Sequence, residues 1–204
     1  MSVTAPQGFV ASGIHSGIKP SGDPDLSLVA TASGEPVPEA AVFTANKLTA
    51  APVLTSDAHL GATLGSVAAV ILNSGNANAA TGQKGRADAE AMCAAVAAQL
   101  ECRPEEVLVC STGLIGIPMP IDTILAGVPD LVAARWGDGG GDAAEAIRTT
   151  DTHRKETLVR IEGSNAVVGG MAKGAAMLAP NMATMLAVLT TDAAVESHEL
   201  RQVL

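Results

Sequence analysis

The sequence predicts an α/β fold, and two observations carry the prediction. Residues 67–72 and 107–110 are short apolar runs of the kind that form buried strands, and residues 86–100 between them place Ala89, Met92, Cys93, Val96 and Leu100 on one helical face. Both runs then enter small polar loops, Asn73-Ser74-Gly75-Asn76 and Ser111-Thr112-Gly113. Strand–helix–strand order is the mark of α/β layering, and in open α/β sheets ligands sit at such loops.

The remaining elements follow in order. Pro120 suits the first turn of a short helix over 120–126, and 130–136 reads as a further helical turn or two. Gly137-Asp138-Gly139-Gly140-Gly141 reads as a flexible connector. Asp142 is the expected N-cap of a helix over 142–148. Residues 158–161 and 166–168, joined by Glu162-Gly163-Ser164-Asn165, read as a hairpin leading to Gly169-Gly170. Residues 184–191 read as a buried strand. Residues 195–204, with Glu196, Glu199, Leu200, Val203 and Leu204, read as the opening of an amphipathic helix.

A chain of 204 residues, 48% of them hydrophobic, can bury a core in one or two domains. A formal net charge of −9 argues against a nucleic-acid partner, which needs a basic patch. No apolar run is long enough to span a membrane, and no signal peptide is evident at the amino terminus. The odd cysteine count, with Cys93, Cys102 and Cys110 at spacings that fit no zinc pattern, predicts three buried thiols in a reducing cytoplasm. His15, His59, His153 and His198 are scattered, so structural or surface roles are expected and no metal site is.

The segment from Met171 to Leu186 carries the most chemistry. Ala183 directly precedes Thr184, Lys173 and a cluster of small residues lie just upstream, and an apolar run follows. A threonine that becomes a chain start holds both a hydroxyl nucleophile and an α-amino base, whose unperturbed pKa is about 7.7–8.0. Taken alone, the same residues also read as a glycine-rich loop entering a buried strand.

The segment resembles the processing site of the ornithine acetyltransferase (glutamate N-acetyltransferase) family of arginine biosynthesis. Other stretches resemble that family in the same order: Gly8 to Lys19, Ala41-Val42-Phe43-Thr44-Ala45-Asn46 with Ala51-Pro52-Val53, Asn73 to Ala79, Ser111 to Gly116, and Thr149-Thr150-Asp151-Thr152. His153-Arg154-Lys155 departs from the family's proline-containing version. The resemblance implies a layered α-β-β-α arrangement like that of amino-terminal-nucleophile hydrolases, completed only by a second segment. Residues 1–183 would be the α segment of a proenzyme, and 184–204 the opening strand and helix of a truncated β segment.

The resemblance also implies a function. Thr184 would cleave the Ala183–Thr184 bond, then carry acetyl from N-acetylornithine to glutamate. Thr112 and Gly113 would stabilise the oxyanion, and Thr149, Lys173 and Thr184, with Thr150 as a neighbour, would bind substrate. No cofactor is implied, although some members of the family take acetyl-CoA as donor. The implied partners are the chain's own β segment, in a heterotetramer of two α and two β segments, with no nucleic acid and no membrane. The residues considered alone offer plainer roles. Thr112 suits a cap at a strand-to-helix turn, Lys173 a solvated loop position, Thr149 to Thr152 a turn cluster, and Asn73 to Asn78 a pocket wall.

Three alternatives stay open. An aminopeptidase with the same kind of nucleophile would hydrolyse its acyl-enzyme. A nucleotide-binding module is suggested by Gly169 to Gly174, although Gly174 stands where a phosphate loop has serine or threonine. The third is a catalytically silent structural or binding protein.

Overall fold

The computed structural model of the chain describes residues 2–175 and 185–204. In chain order the elements are β1 (Phe9–Ile14), β2 (Leu26–Thr31), β3 (Val37–Pro38), α1 (Ala51–Thr63), β4 (Ser66–Val67), β5 (Ala69–Asn76), α2 (Gly82–Leu100), a 3-10 turn (Pro104–Glu106), β6 (Val107–Leu114), α3 (Ile121–Ala133), α4 (Gly140–Ala146), β7 (Lys155–Arg160), β8 (Val167–Lys173), β9 (Leu186–Thr191) and α5 (Ser197–Val203). The fold is mixed α/β, as the sequence predicts.

The main sheet has the order β1-β2-β5-β6. Its first two pairings are antiparallel, while β5 and β6 run parallel. A parallel pair needs a crossover, and α2 supplies it. Strand β2 is buried along its whole length because both faces of the sheet are covered. Leu26 and Leu28, with Ile71 of β5 and Val107 and Val109 of β6, pack against Met92 and Val96 of α2 and Ile124 and Leu131 of α3. On the other face Val29, Leu72 and Ala11 meet Ala143, Ala144 and Ile147 of α4 and its end, together with Met171 of β8. Each fully buried aliphatic side chain contributes about 1.5–3 kcal/mol. Alanines and Cys93 on α2 keep that helix close to the sheet. The second sheet is the antiparallel run β7-β8-β9.

Helix α1 covers the free edge of β6. Ser56 Oγ donates to the Val109 carbonyl (2.8 Å) and accepts from the Val109 N–H (2.9 Å). His59 Nδ1 donates to the Val107 carbonyl (2.8 Å), and Nε2 meets Glu90 of α2 at 2.8 Å. Side chains thus replace the missing ladder partner of an edge strand.

Several expectations need correction. The polar loops after the two predicted strands are strand: β5 runs on to Asn76 and β6 to Leu114. The two predicted helical stretches at 120–126 and 130–136 merge into one helix, α3, which passes through Pro129 and ends at Ala133. The glycine run at 137–141 is not a loose connector. A Cβ on Gly139 would fall 1.9 Å from the Ala11 carbonyl oxygen, and one on Gly13 2.0 Å from that of Asp142. These glycines let α4 lie directly on β1. Helix α4 therefore starts at Gly140, with Gly139 at the N-cap position and Asp142 in the first turn rather than capping it. Cys93 is buried, whereas Cys102 and Cys110 are only partly so. The predicted hairpin forms as β7 and β8. Residues 1–66 also contain β1, β2 and α1, which periodicity alone does not assign.

Candidate active site

The site is built at the carboxyl ends of β5, β6 and β8. Ser74 of β5 stands beside Thr112 of β6, and Gly75 beside Gly113. Gly113 has φ +137°, and a Cβ there would lie 2.2 Å from the Gly75 carbonyl carbon. Only glycine meets both demands. Gly75 has φ +108°, and the Ile18 and Lys19 side chains press on it from the loop at 15–19. That loop is wound around Asp25. Its fully buried carboxylate accepts the backbone N–H groups of Ser16 (2.7 Å), Gly17 (3.1 Å), Ile18 (2.6 Å) and Lys19 (2.9 Å).

The asparagine-rich run holds the wall. Asn73 Nδ2 donates to the Asn76 carbonyl (2.9 Å), Asn76 Nδ2 to that of Pro118 (2.9 Å), and Asn78 Nδ2 to that of Gly85 (2.8 Å). Ser74 Oγ donates to the Ala146 carbonyl and so ties the end of α4 to β5.

Lys173 is the last residue of β8 and is 4% exposed. Its Nζ donates to Thr112 Oγ1 at 3.1 Å. The Thr112 hydroxyl therefore accepts from a cation, which leaves its own hydrogen to be donated onward. Burial pushes the Lys173 ammonium below its ordinary value, Asp151 pulls it back up, and Lys155 lowers it.

Asp151, 4% exposed, joins this end of β8 to the turn after α4. Its Oδ1 accepts the Gly174 N–H at 2.8 Å and pairs with Lys155 Nζ. Burial alone would raise the carboxyl. The Lys155 hydrogen bond, the Gly174 N–H, the Lys155 charge and the Thr149 backbone outweigh it and bring it to about 2.

The structure brings Thr112, Gly113 and Lys173 together, and Thr149 lies two residues before Asp151, which holds the Gly174 N–H. Thr149 and Thr150 are exposed. Ala183 and Thr184, the expected cleavage pair, lie outside the described residues. The next residue, Met185, is described and places its Cγ 3.6 Å from the position of a Cβ on Gly174, while Leu186 pairs with Lys173. The described chain thus resumes beside Lys173. Asp25 and Asp151 are the organising residues that sequence reasoning missed. Asp151 lay within a quoted motif, but only contacts between distant segments reveal its work.

Gly169-Gly170-Met171-Ala172-Lys173 is strand, with its backbone in ladders to β7 and β9. A phosphate loop needs N–H groups turned toward a ligand, and these are not. The glycines serve packing instead, since a Cβ on Gly169 would lie 2.2 Å from the Ser2 carbonyl oxygen.

A concavity of about 700 Å³ is lined by Trp136, Arg154 and Glu156 among others and by none of the candidate residues. Its size does not outweigh the polar convergence at Lys173. Among the described residues no group of His, Cys, Asp or Glu could hold a metal ion, and no helix is long and apolar enough to cross a membrane.

An α/β sandwich with a lysine–threonine pair and an obligatory glycine at its strand ends defines the class. Residues 10–204 match the ArgJ family, and the chain belongs to it. It is 52% identical over 204 residues to the arginine biosynthesis bifunctional protein of Streptomyces avermitilis, covering 100% of this chain and 52% of that protein. It is 55% identical over 201 residues to the protein of the same name from Mycolicibacterium paratuberculosis, covering 95% of this chain and 49% of the relative. The chain thus spans about half the length of the curated relatives it matches. Among solved structures it is similar to ornithine acetyltransferase from Mycobacterium tuberculosis, complexed with ornithine, with a TM-score of 0.82 and 48% identity, covering 91% of this chain and 96% of that one. The arginine biosynthesis bifunctional protein of Bacillus halodurans gives a TM-score of 0.80 at 39% identity, covering 90% of this chain and 95% of that one.

Proposed function

We propose that the complete protein moves an acetyl group from N-acetylornithine to glutamate through an acetyl-threonine on Thr184. Thr184 Oγ first attacks the Ala183 carbonyl, and water hydrolyses the resulting ester. The new Thr184 amine then serves as base, Oγ takes the acetyl group as ornithine leaves, and glutamate receives it. Thr112 and the Gly113 backbone donate to the oxyanion, each worth about 3–4 kcal/mol. Lys173 and Thr149, with Thr150 nearby, bind substrate.

The observation that carries this reading is the buried Lys173 ammonium on Thr112 Oγ1, beside the strand that begins two residues after Thr184. The names of the similar proteins support the substrate class. In this reading residues 1–183 form the α segment and 184–204 open the β segment, in a cytoplasmic heterotetramer of two of each. No cofactor takes part, and acetyl-CoA is a second donor to test.

Mass spectrometry of the complete protein tests the first step. Scission between Ala183 and Thr184, abolished by Thr184→Ala, is expected, and an intact, fully active chain overturns the mechanism. Product analysis with N-acetylornithine and glutamate tests the second. N-acetylglutamate is expected, whereas free acetate alone assigns the site to hydrolysis.

A further inference from the structure

The geometry points to Asp151 as a positioning residue of the acetyl-transfer site: its buried carboxylate joins the exit of β8 to the turn after α4 and serves as the counter-charge to the Lys173 ammonium. The inference rests on the function proposed above and adds a residue to it.

Two stretches of chain beyond its own turn converge on one oxygen of this carboxyl group. Gly174, just past β8, gives its N–H to Oδ1 at 2.8 Å. Lys155, at the start of β7, places Nζ on the same oxygen. Behind the carboxylate, Arg148 Nη2 holds the Asp151 carbonyl at 2.9 Å and fixes the turn. Asp151 therefore sets the position of the backbone adjoining Lys173.

Lys155 alone would neutralise Asp151, but the carboxylate also acts on Lys173. Among the described residues, the charged groups acting on the Lys173 ammonium are Asp151, which favours its charged form, and Lys155, which disfavours it. A buried ammonium without a counter-charge loses its proton more readily. A neutral amine would hold Thr112 and a substrate carboxylate less firmly, because hydrogen bonds to charged groups are the stronger ones. Asp151 thus favours the charged form of Lys173 against the burial that opposes it.

The test uses the complete protein with Asp151→Asn, Asp151→Glu and Lys155→Met. One readout is the titration midpoint of Lys173, followed by NMR on protein labelled with ¹⁵N-lysine. The other is the pH dependence of kcat/KM for acetyl transfer. Asp151→Asn is expected to lower the midpoint and to draw the alkaline limb to lower pH. At neutral pH kcat/KM should fall by about tenfold, mainly through KM. Lys155→Met is expected to move midpoint and limb the other way, and Asp151→Glu to restore much of the parental profile. A role confined to folding predicts unmoved midpoints. A folded Asp151→Asn with the parental midpoint and limb overturns the inference, as does a Lys155→Met shift in the same direction as that of Asp151→Asn. If Asp151→Asn does not fold, Asp151→Ser is read in its place: a lowered Lys173 midpoint supports the inference, and the parental midpoint overturns it. A parent protein that transfers no acetyl group refutes the function proposed above, and the NMR midpoints then decide on Asp151 by themselves.

Discussion

At Gly113 two constraints act on one atom. The φ of +137° disfavours any L side chain, and a Cβ would stand 2.2 Å from the Gly75 carbonyl carbon. Overpacking and backbone strain each cost about 1–3 kcal/mol. Gly113→Ala should therefore lower stability by at least about 2 kcal/mol in urea unfolding and abolish acetyl transfer. Asp25 acts by accepting hydrogen bonds. Its carboxylate answers four consecutive N–H groups in the loop pressed against Gly75. Asp25→Ala leaves them without that acceptor, and a penalty of about 1–3 kcal/mol for each buried orphan predicts a protein that melts far below the parent in a thermal scan. Neither effect is legible one residue at a time. A glycine in a polar loop and an aspartate before a strand are common, and only the atoms they meet give them a role.

Among the elements, α1 shows how a helix can protect a sheet. Ser56 makes two hydrogen bonds to Val109 of β6, one in each direction. Ser56→Ala would leave a buried strand N–H and C=O without these partners, and the expected loss is about 1–3 kcal/mol by denaturant unfolding, with faster amide exchange at Val109. A substitution by alanine at the exposed Asp57, one residue on, should change stability by less than about 0.5 kcal/mol. Helix α2 was legible because its apolar face is periodic and long, and strands β5 and β6 because each begins with an unbroken apolar run. Helix α1 was not, since Ser56 and His59 are polar residues on its buried side and blur the apolar stripe. The extension of β5 and β6 through Asn73-Ser74-Gly75 and Ser111-Thr112-Gly113 escaped for a related reason. Turn-forming residues lie in strand here because parallel pairing with the neighbour outweighs local preference.

For the molecule as a whole, acid stability offers a test of the charge layout. Desolvation raises the Glu39 carboxyl from 4.5 to about 7, so the folded chain binds a proton that the unfolded chain releases. Its contribution is present in full below about pH 4.5, declines as pH rises through about 7, and is flat above. Glu39→Gln should raise Tm at pH 8 and leave it nearly unchanged at pH 4. Asp151 has the opposite sign. Its carboxyl falls from 3.8 to about 2, so its contribution is present above about pH 3.8 and is lost as pH drops through about 2. The parent should lose stability steeply between those values, and Asp151→Asn less so. Strand–helix–strand layering, the hairpin before Gly169 and the family resemblance were all in the amino-acid order, because periodicity and local motifs are properties of neighbouring residues. The meeting of Lys173 with Thr112, the hold of Asp151 on Gly174 and the seating of α4 on Gly13 came only with the folded chain. Each joins residues far apart in sequence, and their energies arise when burial removes water from groups that packing has already brought together.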